Sequence, residues 1–304
     1  MLTDRVFRWV TAAMGLVVVG LLVGIGAQLV LGSLPTWKAF GLSFLIQSDW
    51  DPTQAMYGAL PFIGGTIASS LLAMVIAVPV GILAAIFLSE MAPRWLAVPL
   101  TFTVELIAAI PSVVIGLWGL SVLSIVLRDQ VEVPFVNQFG DLPFFGSAAN
   151  GSDLLAASLL LALMVTPTIV AITREVFAGV PHSQREALMG LGGTRWDAVR
   201  RVVIPAARSG IVGACVLALG RAMGETLAVT MTIGNADRLP SGLFEPGQTI
   251  ASKLATTWNE ASIGLETNSL VTLGLVLAVL TVAMILITRT LVRNKPQGVR
   301  RGVA

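Results

Sequence analysis

Six stretches of the chain are apolar for long enough to cross a bilayer, and the segments between them collect charge, proline and glycine. The runs cover about 9–31, 61–89, 98–127, 153–173, 209–233 and 268–291. A spanning helix needs roughly 20 such residues without strict alternation, so the pattern predicts α-helices rather than barrel strands. The first run exceeds the apolar core of a signal peptide and lacks a small-x-small cleavage site, which makes it a retained span. Pro79 and Pro111 fall inside the second and third runs and predict kinks there. The connections at Gly32–Leu60, Arg128–Ser152 and Gly234–Thr267 are irregular, and Trp37 and Trp50 mark the membrane interface. No internal repeat is visible. The prediction is an all-α membrane protein with a single transmembrane domain over 1–304, its one long polar interruption at 174–208.

Composition agrees: 55% of the residues are hydrophobic and 12% charged, about half the charged fraction of a soluble domain. The basic residues sort by side. Arg5, Arg8, Arg94, Arg174, Arg185, Arg195, Arg200, Arg201, Arg208, Arg289, Arg293, Lys295, Arg300 and Arg301 share the side of the termini, against Lys38, Arg128, Arg238 and Lys253. The positive-inside rule therefore predicts cytoplasmic termini and a cytoplasmic 174–208 loop. Topology accounts for the net charge of +2, and no nucleic-acid partner is needed. The single Cys215 lies in an apolar run as a core residue, and the only histidine, His182, reads as a solvated loop residue.

The loop has its own helical pattern. Ser183 with Glu186 has the spacing of a capping box, the glycines at 190, 192 and 193 end that helix, and Thr194 caps a second with Asp197 in its first turn. Trp196, Val199 and Val203 share one face of the second helix. The result is an amphipathic hairpin, whose arginines suit either anionic lipid head groups or a protein partner. Glu186-Ala187, Gly192, Val202, Ile204 and Pro205 are spaced like the EAA loop of ABC-importer permeases: Glu-Ala-Ala, three residues, Gly, nine residues, Ile, one residue, Leu-Pro. The resemblance implies a type I importer fold in which this loop is the coupling helix docked on a cytoplasmic ATPase. Glu186, Ala187, Gly192, Trp196 and Arg200 are then the candidate coupling residues.

Two charges lie deep in the fifth run. Arg221 is about 12 residues, roughly 18 Å, from its start, and a helix would place Glu225 one turn further on the same face. Gly220 and Gly224 would permit close helix approach. Glu105 is the third intramembrane charge. Such groups must pair or face a hydrated path. One reading is an ion pair of Arg221 with Glu225 or Glu105. The other is a guanidinium fork that meets a passing oxyanion, with Glu225 or Glu105 moderating its grip. Thr166-Pro167-Thr168 either lines the path or repairs a kink.

The segment Leu219-Gly220-Arg221-Ala222-Met223-Gly224-Glu225-Thr226-Leu227-Ala228-Val229-Thr230 is similar to a signature of phosphate ABC-importer permeases, and Glu105–Leu120 (ELIAAIPSVVIGLWGL) resembles their third-span signature, closer to the PstC type than to PstA. The resemblance implies a role for Arg221 and Glu225 in the translocation pathway. It also implies four partners besides membrane lipid: a second permease of the PstA type, a PstB-type ATPase dimer, an extracytoplasmic PstS-type binding protein, and phosphate. The chain has no Gly-x-x-x-x-Gly-Lys-Ser/Thr loop, so ATP is expected in the partner ATPase and no cofactor or metal in this chain, a non-catalytic permease. A permease for sulfate or molybdate and an ion-coupled secondary transporter are the alternatives.

Overall fold

The computed structural model describes residues 2–140, 142, 144–146 and 150–293. Lys295, Arg300 and Arg301 of the basic tail, and Asp141, lie outside the described residues. In chain order the helices are α1 (Leu2–Phe40), α2 (Ser43–Ile46), α3 (Leu60–Met91), α4 (Arg94–Ala109), α5 (Ser112–Phe139) and α6 (Leu154–Ala178). They continue with α7 (His182–Gly190), α8 (Arg195–Gly224), α9 (Leu227–Thr232), α10 (Ile250–Thr257) and α11 (Leu265–Arg293). Six of these, α1, α3, α5, α6, α8 and α11, are long and apolar enough to cross a membrane. Strands β1 (Trp50–Asp51) and β2 (Met56–Tyr57) form a small antiparallel hairpin between α2 and α3.

Two expected spans are corrected. The run 98–127 is two helices rather than one kinked helix, because Ile110 is extended (φ −66°, ψ 129°) before Pro111. The proline ring crowds the preceding residue out of the helical region, whereas Pro35, Pro79, Pro99 and Pro167 are carried inside helices. The run 209–233 also breaks. α8 ends at Gly224, Glu225 is extended (φ −67°, ψ 126°), and α9 starts two residues later. Glycines at 220 and 224 weaken the helix there, and the carbonyl of Gly224 accepts the Thr226 hydroxyl at 3.2 Å.

α6 is the most enclosed span, flanked by α3, α4 and α8. Its Ala157, Leu161, Val165 and Ile169 form one buried cluster with Ala73 and Ala77 of α3 and Ala218 and Ala222 of α8. In lipid, helices associate through such close van der Waals contact between small residues. The glycines that matter here are Gly81, whose added Cβ would stand 2.8 Å from Ile169 Cγ2, and Gly210, which packs on Val176. The expected pair does not serve: a Cβ on Gly220 would meet nothing nearer than 3.8 Å, and one on Gly224 nothing within 4 Å.

The face opposite the 174–208 loop is closed by polar locks. Trp50, read from sequence as an interfacial residue, stacks edge-on against Tyr57 and Phe62 at 5.0 and 5.5 Å. Lys253 of α10 stands 4.9 Å from the Trp50 ring and bonds Asp237 at 2.6 Å. Asp153, fully buried, caps α6 by accepting the Ala156 amide at 2.8 Å, beside the buried Glu132, which accepts the Gly151 amide at 2.9 Å. Burial, and then the Glu132 carboxylate, push the Asp153 pKa up to about 8.

Because that value lies above the unfolded one of 3.8, the stabilising contribution is complete below the unfolded value and is lost as pH rises through the folded one. The melting temperature in detergent should fall progressively from about pH 4 to about pH 8 in the wild type, and fall less in Asp153→Asn. Thermal unfolding followed by circular dichroism checks this.

Candidate functional site

The hairpin is built from α7 and the first turns of α8. Pro181, extended at φ −59° and ψ 135°, stands at the N-cap of α7 without a side-chain bond. The expected Ser183–Glu186 capping box is therefore absent: the helix already starts at His182, and Ser183 lies inside it. The second expected cap forms in full. The Thr194 hydroxyl accepts the Asp197 amide at 3.2 Å, and Asp197 accepts the Thr194 amide at 3.1 Å. Between them Gly192 is left-handed (φ +88°), with the Gly193 amide on the Leu188 carbonyl and the Gly192 amide on that of Met189. Glycine adopts this helix-ending turn without the strain a side chain would add.

Val199 and Val203 are buried against Phe177 and Val180, but Trp196, the third member of the expected face, is 48% exposed. Glu186, Ala187, Gly192 and Arg200 are exposed as well. Met189 and the 85%-exposed Leu191, which sequence reasoning passed over, add apolar surface to the same hairpin. The hairpin thus holds its valines inward and offers charge and apolar area outward. Sequence reasoning also missed Arg185, which is buried at the foot of α7.

The helices that follow the two breaks meet. An added Cβ on Gly116 of α5 would lie 2.9 Å from the Ala228 Cα of α9, and one on Gly119 would lie 2.9 Å from Thr232 Cγ2. α5 starts just after the Pro111 break and α9 just after the Glu225 break. One turn before that break, in the last turn of α8, stands the exposed Arg221. The partial negative charge of a helix end favours a cation there. Its Nη1 donates to Thr168 Oγ1 at 3.4 Å. Thr168 lies about 21 Å from the start of α6 and about 15 Å from its end, near mid-bilayer.

Thr66, Thr101, Thr166, Thr230 and Thr281 donate their hydroxyls to the carbonyl four residues back. Thr168 makes no such bond among the described residues, so its hydroxyl accepts from Arg221 and keeps its proton to give. Thr166 spends its hydroxyl on the Ala162 carbonyl, and Thr168 meets the guanidinium.

The ion pair considered for Arg221 is absent. Among the described residues no carboxylate lies within 4.0 Å of it. Glu225 is half-buried in the break rather than stacked a turn above Arg221, because the helix has already ended. Glu105 is exposed on α4. The site is therefore a charged fork and a free hydroxyl one turn before the break that ends α8, with the half-buried Glu225 in that break. It can hold an oxyanion by direct donation.

Residues 77–301 match the family of binding-protein-dependent transport system inner membrane components, and the chain belongs to that family. It is a multi-pass permease of the inner membrane, of the kind that works in ABC importers with a binding protein and an ATPase. The chain is 43% identical over 293 residues to the phosphate transport system permease protein PstC of Pasteurella multocida, covering 95% of this chain and 91% of that one. It is 41% identical over 298 residues to the PstC of Haemophilus influenzae, covering 97% and 94%. The probable ABC transporter permease protein YqgH of Bacillus subtilis is 38% identical over 290 residues, covering 93% and 89%. Two solved structures share the fold. An importer of the acidic polysaccharide alginate has a TM-score of 0.55 at 14% identity over 95% of this chain and 98% of its own. The inward-facing MetNI methionine transporter has a TM-score of 0.52 at 20% identity over 78% and 93%.

The contact between α5 and α9 is sensitive to one methyl group. Gly116→Ala places a Cβ against backbone that cannot yield and should cost about 1–3 kcal/mol, whereas Gly220→Ala, with room to 3.8 Å, should be neutral. Thermal unfolding of the two purified variants measures the difference.

Proposed function

We propose that this chain is one of two permease subunits of an ATP-driven phosphate importer and forms half of its translocation pathway. The observation that carries the reading is the pair of donors, the exposed Arg221 and the half-buried Thr168, at mid-bilayer depth beside the break that ends α8. The identity to PstC proteins supports phosphate as the oxyanion. A guanidinium holds two oxygens of a tetrahedral anion without ever losing its proton, and the hydroxyl reaches a third. The N-terminus of α5, which starts at the Pro111 break, adds the positive end of a long helix. Glu225 and Glu105 lower the local positive field, so the anion is met and released rather than trapped.

The open side of Arg221 is where a second permease of the PstA type completes the path. A PstS-type binding protein delivers phosphate outside, and a PstB-type ATPase dimer binds ATP and takes the hairpin through Glu186, Ala187, Gly192, Trp196 and Arg200. The termini and hairpin are then cytoplasmic. The chain supplies path and lever, and its partner supplies hydrolysis.

In vesicles carrying the assembled complex, Arg221→Gln should lower ATP-dependent phosphate uptake by at least about tenfold. Thr168→Val should lower it several-fold, Thr168→Ser should keep it, and Thr166→Val should leave it near wild type because that hydroxyl is already spent on Ala162. Copurification of the ATPase controls for assembly. Undiminished uptake by Arg221→Gln would defeat the role given to this site.

A further inference from the structure

The polar attachment of α7 to the membrane helices is a single side chain. Arg185 is its one buried residue, 8% exposed, while the apolar Ala187 and Met189 face outward. Nη1 of Arg185 donates to the Val180 carbonyl at 2.7 Å, and Nη2 donates to the Phe177 carbonyl at 2.8 Å and to Glu90 Oε1 at 2.8 Å. Phe177 lies in the last turn of α6 and Val180 just past it, where carbonyls have lost their helical amides and the helix end favours a cation. Glu90 lies in the wide, π-helical last turn of α3, and both partners of the ion pair are nearly buried, at 10% and 12% side-chain exposure. One guanidinium thus satisfies three acceptors on two membrane helices. The other arm of the hairpin is held differently, by Val199 and Val203 packed in an apolar cluster.

We infer that Arg185, through Glu90 and the end of α6, is the positioning residue that transmits displacement of the hairpin to α3 and α6. The inference rests on the reading of the hairpin as the ATPase contact. Apolar packing between helices tolerates sliding, but a planar fork bound to three fixed acceptors transmits displacement along all of them. A push on α7 therefore moves α6, which carries Thr168, together with α3. The same push enters α8, which carries Arg221, through the other arm. The two halves of the donor pair shift in concert only while both arms are attached.

The test is to measure phosphate uptake and ATP hydrolysis together in vesicles containing the full complex, with ATPase copurification as the assembly control. Arg185→Gln should lower the phosphate moved per ATP hydrolysed by at least about fivefold, with the KM for uptake unchanged. Arg185→Lys, which keeps the charge without the fork, should fall between it and wild type. Glu90→Gln, which removes the charge and leaves both carbonyl bonds, should lower the ratio by less than Arg185→Gln. An unchanged ratio in assembled Arg185→Gln complexes, including parallel losses of uptake and hydrolysis, would overturn the inference. If that variant does not assemble, Glu90→Gln decides, and an unchanged ratio there overturns it equally. A wild-type complex without ATP-dependent phosphate uptake would instead defeat the function proposed for the chain.

Discussion

A backbone that leaves the helix inside a bilayer loses the partners of its amides and carbonyls, and hydrocarbon offers no replacement. This chain leaves the helix at Ile110–Pro111 and again at Glu225–Thr226. Each break alone would cost several kcal/mol of unsatisfied polar groups if it faced lipid. Here the broken segments lie on a surface that the isolated chain leaves open to water or a partner: Ile110 and Pro111 are exposed and Glu225 is half-buried, while α5 and α9, the helices that follow the breaks, pack on each other. The rest of the functional architecture follows. Two helix ends and two helix starts lie at these breaks, and Arg221 sits on the end whose dipole accepts a cation. Without the breaks α8 would carry Glu225 directly above Arg221, and the pair would neutralise itself.

The breaks in turn depend on small residues. Gly116 and Gly119 let α5 approach α9 closely enough to fix the level of both interruptions, and Gly81 and Gly210 seat α3 and α8 on the central α6. Association in a membrane gains nothing from moving apolar surface out of water, so these contacts depend on fit. A fold held by fit can shift between two well-packed arrangements more readily than it can deform continuously. That property suits a path that must open to one side and then the other.

The apolar runs were legible because hydrocarbon thickness imposes a length that few other constraints mimic. The depth of Arg221 followed from counting along its run. The breaks were not legible for two different reasons. Pro111 looks like the prolines that the helices absorb, and only the extended Ile110 before it distinguishes them. Glu225 follows glycines but no proline, and a single glycine weakens a helix by only about 1 kcal/mol, so periodicity carried the span through it. Arg185 counted as one more positive charge on the loop, because burial is a tertiary property and a loop arginine is normally solvated. The Ser183–Glu186 spacing misled because the helix starts one residue earlier, at His182, which puts Ser183 in its first turn instead of at its cap. Thr194 and Asp197 had no such competitor, and their cap formed as spaced.

The two faces of the molecule are fastened differently, and the difference bears on which of them moves. On the face opposite the hairpin, Lys253 is 5% exposed among Trp50, Phe62 and Asp237, and Asp153 and Glu132 are enclosed with their backbone donors. Ile250 donates its amide to Thr66 at 2.9 Å, tying α10 to α3. Moving any of these apart would expose or strand a buried polar group, at a cost that rises with each one broken together. The hairpin face has one buried polar anchor on α7, a short apolar seam on the first turns of α8, and an outer surface left open. Work done on the hairpin therefore meets less resistance near its point of application than at the far side. The motion it causes is concentrated between the two faces, at the depth where the helices are already broken and Arg221 faces Thr168.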